Sequence, residues 1–214
     1  MKLLVLGASG MVGQCYLNEA LARGHQVTAC ARNPAALAPL PPQVAAAALD
    51  VLAAPEPLAA LVAAHDATLS ALRPAEGSEA ALVPMTRTVL QAAQAADRRA
   101  YITGGAASLL LADDSGHTVL SAPDFLPEAV RPIATACAAQ DRLLDTYPQA
   151  DWICLRPAAL LLEAARTGRY ALGRDRLVTR SDGRSAISYA DFAVAMLDLV
   201  ELAPRPRQKL TVGW

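Results

Sequence analysis

Aromatic side chains are scarce in this sequence, and their scarcity argues against one class of function. Phe, Trp and Tyr together make up 4% of the 214 residues, too few to supply the stacking platforms that bind single-stranded nucleic acids. The formal net charge is −1, whereas nucleic-acid-binding proteins usually carry a basic face. We therefore expect no nucleic-acid partner.

Long apolar runs and paired cysteines are also missing. No run approaches the ~18 uninterrupted apolar residues that a membrane-spanning helix needs, so we expect no membrane partner. The four cysteines form no CxxC motif and no cluster with the three histidines that has metal-ligand spacing. We expect reduced, mostly buried thiols in a cytoplasmic protein that binds no metal.

Hydrophobic residues are abundant, at 54% of the chain, and they occur as strand-like runs that alternate with helical patterns. Strands are predicted over residues 2–6, 25–30, 44–51, 67–72, 100–105 and 151–157. Helices are predicted over residues 11–23, 57–65, 79–96 and 125–147. This alternation predicts an α/β fold with a Rossmann-type doubly wound parallel sheet. No linker interrupts it, so we expect one domain over residues 1–214.

Three glycines separate the first predicted strand from the first predicted helix. Gly7, Gly10 and Gly13 are spaced GxxGxxG in the stretch LLVLGASGMVGQ, inside a βαβ unit. Glycines let backbone N–H groups approach a pyrophosphate, and the N-terminus of the following helix adds a favourable dipole. The pattern predicts a dinucleotide cradle.

The end of the second strand indicates which dinucleotide is preferred. An NAD site places an acidic residue there, about 20 residues beyond the glycines, to bind the ribose hydroxyls. Here Arg32 stands in the stretch ACARNP, and no acid lies between Glu19 and Asp50. A guanidinium pairs with a 2′-phosphate, which a carboxylate repels. We therefore expect NADP(H) to be preferred over NAD(H), and a solvated surface arginine is the alternative.

Two later strand ends belong to the same crevice, because ligands of such sheets bind outside the carboxyl ends of the strands. Asp50 and Val51 follow the third strand and can meet an adenine, although Asp50 is also typical of a helix cap. The fourth strand ends in Ser70, Ala71 and Leu72, where small residues permit close approach to the cofactor.

Several stretches resemble one family in the order in which they occur along the chain. They are GASGMVG, ARNP, LDV, SAL, YITGGAASL, DWICLRPAAL, TGRYALG and AISYADFAVAMLDLVE…LTVGW. Over essentially its whole length the chain resembles atypical short-chain dehydrogenase/reductase-like NAD(P)-binding proteins, most closely the NADH-flavin reductases. These are related to biliverdin-IXβ/flavin reductases and to NmrA-like proteins. The resemblance implies a small C-terminal substrate-side lobe over about residues 158–214.

The resemblance also implies nicotinamide dinucleotide binding by the glycine loop and by the ends of the second to fifth strands. With the strand-end residues above, the predicted cofactor-binding set is Gly7, Ala8, Ser9, Gly10, Met11, Val12, Arg32, Asp50, Val51, Ser70, Ala71, Leu72, Thr103 and Gly104.

The Tyr-x-x-x-Lys pair of carbonyl-reducing short-chain dehydrogenases is absent, since neither Lys2 nor Lys209 follows a tyrosine by four residues. Carbonyl reduction needs a well-placed acid, whereas a flavin can accept hydride with a proton from water while the protein aligns the reacting atoms. We therefore expect an NADPH-dependent oxidoreductase, monomeric or homodimeric, that reduces a flavin or quinone-like acceptor as its substrate. A non-catalytic NADP(H)-binding redox sensor is the alternative, and the missing pair disfavours an epimerase or dehydratase.

Further side chains are candidates for assisting catalysis. Ser108 follows the fifth strand, where its hydroxyl can orient the nicotinamide or donate to the acceptor, or else cap a turn. His117, in a long loop over residues 106–124, is a candidate lid proton donor or a solvated histidine. Six arginines around the C-terminal turns are candidates for attracting an anionic acceptor such as a flavin phosphate, or for a solvated hairpin: Arg166, Arg169, Arg174, Arg176, Arg180 and Arg184.

Overall fold

An eight-stranded sheet organises the computed structural model, which describes residues 1–37 and 40–214. The described strands are β1 (Lys2–Leu6), β2 (Gln26–Ala31), β3 (Ala45–Ala48), β4 (Ala67–Ser70), β5 (Arg99–Thr103), β6 (Trp152–Pro157), β7 (Leu160–Leu162), β8 (Ala171–Gly173), β9 (Ala186–Ser188) and β10 (Gln208–Gly213). All of them belong to this sheet except β7 and β9, which form a second, two-stranded sheet. The sheet order is β3-β2-β1-β4-β5-β6-β10-β8. Its strands run parallel except β8, which is antiparallel to β10. Chain order changes direction between β1 and β4, which creates a crevice at their carboxyl ends.

Helices cover both faces of this sheet. They are α1 (Met11–Ala22), α2 (Pro55–Ala63), α3 (Leu82–Ala96), α4 (Arg131–Asp145) and α5 (Tyr189–Leu202). Successive residues of a strand point to opposite faces, and the buried clusters follow that alternation. Leu3 and Val5 pack with residues of α1 and α5, whereas Leu4 and Leu6 pack with residues of α2, α3 and α4. The predicted Rossmann-type doubly wound α/β fold is confirmed.

Two elements depart furthest from their predicted bounds, and both are shorter in the structure. The strand expected over residues 44–51 is Ala45–Ala48, a short edge strand with mostly exposed side chains. The helix expected from residue 125 begins at Arg131, after a 3₁₀ turn at Glu128–Val130. Proline explains the later start, because Pro127 disfavours a helical conformation before it and Pro132 fits the first turn of α4.

The C-terminal turns do not form the expected hairpin, because β8 and β9 belong to different sheets. β8 pairs with β10, and β9 pairs in parallel with β7. The backbone between them bonds instead to the long loop: Leu110 donates to the carbonyl of Asp175, and Leu177 donates to the carbonyl of Leu110. This contact brings two distant segments together beside the crevice. Among the described helices, none is long and apolar enough to cross a membrane.

Candidate functional site

The glycine loop between β1 and α1 is packed so closely that two of its positions exclude a side chain. Gly7 has φ +75°, and a Cβ there would lie 2.5 Å from the carbonyl oxygen of Ala71. A Cβ at Gly13 would lie 2.2 Å from the carbonyl oxygen of Gly7. At Gly10, by contrast, the nearest atom would be 3.5 Å from a Cβ. The loop is therefore sealed against β4 and α1 and open on the side of Gly10.

The N-terminus of α1 at this loop has no side-chain cap. Gly10 is the N-cap residue, and the first turn carries no acidic side chain. At α5, by comparison, the Ser188 hydroxyl accepts a hydrogen bond of 2.9 Å from the amide of Asp191. Uncapped N–H groups and the positive end of a helix dipole suit an anion such as a pyrophosphate. The loop thus fits the dinucleotide that its sequence predicts.

A cavity of about 140 Å³ lies beside the glycine loop. The predicted residues that line it are Gly7, Ser9, Gly10, Arg32, Val51, Ala71 and Leu72. Leu6, Cys30, Ala31, Leu49, Arg73 and Met85 line it too and were missed. Arg73 directly follows the predicted strand end, so its position could have been included. The guanidinium groups of Arg32 and Arg73 have no carboxylate partner in the part of the chain that the structure describes.

Four residues of the predicted cofactor-binding set line none of the described cavities. Ala8 and Ser70 are buried, and the Met11 side chain is 47% exposed. The Asp50 carboxylate accepts a hydrogen bond of 2.9 Å from the amide of Leu52, so it closes a turn after β3. Their contribution to cofactor binding stays a prediction.

A second, larger cavity of about 1020 Å³ adjoins the first and shares Ala71, Leu72 and Arg73 with it. Val12, Thr103 and Gly104 of the predicted set also line it. Most of the remaining wall is apolar and comes from the long loop, α4 and the segments around β7 and β9. Its larger apolar side chains are Leu111, Phe125, Leu126, Val130, Ile133, Leu160, Leu161 and Leu177.

The Thr103 side chain is held in place by a hydrogen bond with a buried tyrosine. The Tyr16 hydroxyl on α1 lies 2.8 Å from Thr103 Oγ1. Burial raises the pKa of Tyr16, so the phenol stays protonated and can donate to Thr103. This bond ties the helix behind the glycine loop to the end of β5, where Thr103 faces the large cavity.

Ser108 lies beyond β5 in the 3₁₀ turn Ala106–Ser108, next to the large cavity. Its hydroxyl donates to Asp141 over 2.7 Å, and the same carboxylate lies 3.4 Å from Arg156 and 3.7 Å from Lys209. Ser108 is not among the residues that line the described cavities. The structure therefore places its hydroxyl in a charged cluster under the loop, and its catalytic role stays a prediction.

The fold does not bring His117 and the C-terminal arginines together at one site. His117 is exposed and lies outside the lining of the described cavities. Arg166 pairs with Glu19 at 2.8 Å, and Arg176 pairs with Asp114 at 3.0 Å. Arg180 stacks over the ring of Trp214. Of the six arginines, Arg184 lines the large cavity. Within residues 1–37 and 40–214, no three His, Cys, Asp or Glu side chains are grouped as a metal site requires.

Comparison with known proteins agrees with this geometry. A family profile described as NAD(P)H-binding matches residues 7–201. The uncharacterized protein YwnB of Bacillus subtilis (strain 168) is 33% identical over 214 residues, which cover 99% of this chain and 98% of that protein.

Solved structures extend the similarity over the whole fold. A crystal structure from Burkholderia pseudomallei, named "putative exported protein", has a TM-score of 0.87 at 32% identity and covers 100% of both chains. Another from Streptococcus pneumoniae TIGR4, named "putative NADH-flavin reductase", has a TM-score of 0.85 at 28% identity, covering 100% of this chain and 99% of that one. The chain therefore belongs to the NAD(P)H-binding family, as its resemblance to NAD(P)-binding proteins implied.

Proposed function

We propose that this protein is an NADPH-dependent oxidoreductase that transfers a hydride to a flavin or a similar planar acceptor. The observation that carries the proposal is the large, mainly apolar cavity that adjoins the glycine loop. We assign the adenosine end of the dinucleotide to the small cavity, and the nicotinamide end with the acceptor to the large one. The three residues shared by both cavities support this division.

The preference for NADPH rests on charge in the small cavity. Arg32 and Arg73 are its charged lining residues among those described, and both are exposed. A 2′-phosphate gains a charge-assisted hydrogen bond from a guanidinium, whereas the absence of a lining carboxylate removes the usual partner of the NADH ribose. The Streptococcus pneumoniae protein is named for NADH, so the arginines lead us to a different cofactor preference here.

In this proposal the residues of the large cavity bind and align the nicotinamide and the acceptor, and they do not supply a proton. Bound NADPH provides the hydride, and the apolar walls exclude water and hold a planar ring. Thr103, fixed by Tyr16 at 2.8 Å, is the hydroxyl that we assign to orienting the nicotinamide. Hydride transfer to a flavin needs alignment above all.

We infer that neither lysine completes a Tyr–Lys pair. Lys2 begins β1, at the edge of the sheet opposite the crevice. The ammonium of Lys209 lies 2.9 Å from Asp145 and 3.7 Å from Asp141. In our proposal water therefore supplies the proton that accompanies the hydride to the acceptor.

An acceptor panel tests this function. NADPH oxidation is measured with FMN, FAD, riboflavin and a quinone, and we expect at least one flavin to stimulate it. Ile133→Trp, on α4 in the wall of the large cavity, should lower turnover of the acceptor while NADPH binding persists. Thr135→Trp, an exposed position of the same helix outside the cavity lining, is the matched control.

The opposite outcome has a definite meaning. If NADPH binds but no acceptor stimulates its oxidation, the oxidoreductase proposal fails and the non-catalytic sensor remains. The sensor predicts partner association that depends on NADP(H).

A further inference from the structure

We propose that Arg184 forms an anion subsite in the large cavity, so that the acceptor is a planar molecule bearing a phosphate, and FMN is selected over riboflavin. This inference rests on the proposed function, because it specifies which acceptor occupies the same cavity.

The backbone at Arg184 is held in place by a tight turn. The Arg180 amide donates to the carbonyl of Arg184, and the Gly183 amide donates to the carbonyl of Arg180, both over 2.9 Å. The Arg184 amide donates to the Asp182 carboxylate over 2.9 Å. The next residue, Ser185, accepts the Leu160 amide at its carbonyl and so joins the turn to β7. Arg184 therefore stands at an anchored position in the lining of the cavity, and its side chain is exposed.

The charges around the large cavity leave Arg184 available to an acceptor. The charged side chains among its described lining residues are those of Arg73, Asp113 and Arg184. Asp113 is exposed, and its carboxylate accepts the amide of Ser115 over 3.1 Å. Arg73 also borders the small cavity, where we assign it to the cofactor. Arg184 has no carboxylate partner within the described residues. Of the two arginines that line the large cavity, it is the one that does not also line the small cavity.

The neighbouring arginines contact other side chains or lie outside the cavity lining. Arg166 and Arg176 have carboxylate partners, and Arg180 stacks on Trp214. Arg169 and Arg174 do not line the cavity. Of the six arginines around the C-terminal turns, Arg184 is thus the one left to bind an anion beside the apolar wall of the large cavity. Arg184 is exposed, and a guanidinium at the rim of an apolar cavity favours an anionic group on the ligand.

The cavity therefore presents two chemistries to an acceptor, an apolar surface for a ring system and a guanidinium for an anion. FMN and riboflavin are matched probes of this arrangement, because they share the ring and the ribityl chain and differ by one phosphate. Guanidinium–phosphate pairs are bidentate and geometrically specific.

The experiment compares kcat/KM for FMN and riboflavin at saturating NADPH. The wild-type protein should prefer FMN. Arg184→Gln should lower kcat/KM for FMN by about tenfold, the size of one charge-assisted hydrogen bond, and leave that for riboflavin nearly unchanged. Arg174→Gln, an exposed arginine of the same region outside the cavity lining, should change neither value. Added salt should weaken the FMN preference of the wild type.

A parallel binding measurement separates this inference from the proposed function. Quenching of flavin fluorescence on the NADP⁺-bound protein gives Kd values for both flavins without turnover. Tighter FMN binding that depends on Arg184, without reduction of any acceptor in the panel, would overturn the oxidoreductase proposal and leave the anion subsite standing. An equal FMN-to-riboflavin ratio in wild type and Arg184→Gln would overturn the subsite. Thermal unfolding of both variants verifies that they are folded.

Discussion

The small and the large cavity meet at Ala71, Leu72 and Arg73, yet they are built in different ways. The small cavity, of about 140 Å³, is made by short segments that follow strand ends, and its tightest contacts are backbone against backbone. The large cavity, of about 1020 Å³, is made by side chains from the long loop, α4 and the segments around β7 and β9.

This difference separates what the backbone provides from what the side chains provide. A cradle of backbone groups suits a pyrophosphate whatever the side chains, because every residue type except proline supplies the same N–H group. A wall of side chains can change its shape and charge while the sheet beneath it stays the same. Cofactor binding therefore belongs to the fold, and we expect acceptor choice to depend on the side chains of the large cavity.

The largest expected effect comes from adding a side chain to the glycine loop that borders the small cavity. Gly7→Ala should reduce the free energy of unfolding by about 2–5 kcal/mol, since it forces a side chain into a left-handed conformation and against the Ala71 carbonyl. Gly10→Ala meets no close atom and should change stability by less than about 0.5 kcal/mol, while it weakens NADPH binding. Denaturant unfolding and NADPH titration measure the two quantities.

Equal stability of the two glycine variants would contradict the distinction between a sealed and an open side of the loop. Unchanged NADPH affinity in Gly10→Ala would show that the open side does not receive the dinucleotide.

A smaller effect is expected from a side chain at the rim of the small cavity. Arg32→Ala should lower the preference for NADPH over NADH by about tenfold, since it removes a charge-assisted hydrogen bond to the 2′-phosphate. The ratio of the two Kd values is the measurement. Arg98→Ala, an exposed arginine just before β5 and far from the crevice, is the control. A ratio that Arg32→Ala leaves unchanged would make Arg32 a solvated surface residue.

The smallest effect is expected from acid, and it should appear first at residues 163–170, which line neither the small nor the large cavity. Hydrogen bonding to Arg166 lowers the pKa of Glu19. Burial alone would raise the pKa of Asp191, but hydrogen bonds from Thr167, Gly168 and Trp214 lower it. A carboxyl whose pKa is lower in the folded state stabilises the fold above its unfolded pKa. That contribution is lost as pH falls from about 4.

Hydrogen exchange corrected for intrinsic rates can follow this loss. Glu19 and Asp191 hold residues 163–170 in place before β8. As the pH falls, the amides of this segment should lose protection at a higher pH than those of the glycine loop, because no ionisable side chain takes part in the packing of that loop. Arg166→Gln should lower the protection of residues 163–170 at neutral pH and reduce its further loss in acid, because it removes the contact through which Glu19 holds this segment. Simultaneous loss of protection in both segments would contradict the contrast.

The sequence predicted the strands β1, β2, β4, β5 and β6 to within a few residues, because each buried strand is a short apolar run ended by a turn residue. It did not predict the pairing of β7 with β9, because three-residue strands carry too little periodicity to indicate a partner. The expected hairpin was wrong for the same reason.

The sequence by itself determined the α/β class, the glycine loop and the position of Arg32 at the end of β2. These follow from local order, since a strand, a glycine turn and a helix are neighbours along the chain. Tertiary structure alone decided that Thr103 rests on Tyr16, that Ser108 donates to Asp141, and that Arg184 lines the large cavity. Those contacts join residues tens of positions apart, and only the packing of the sheet and its covering segments brings them together.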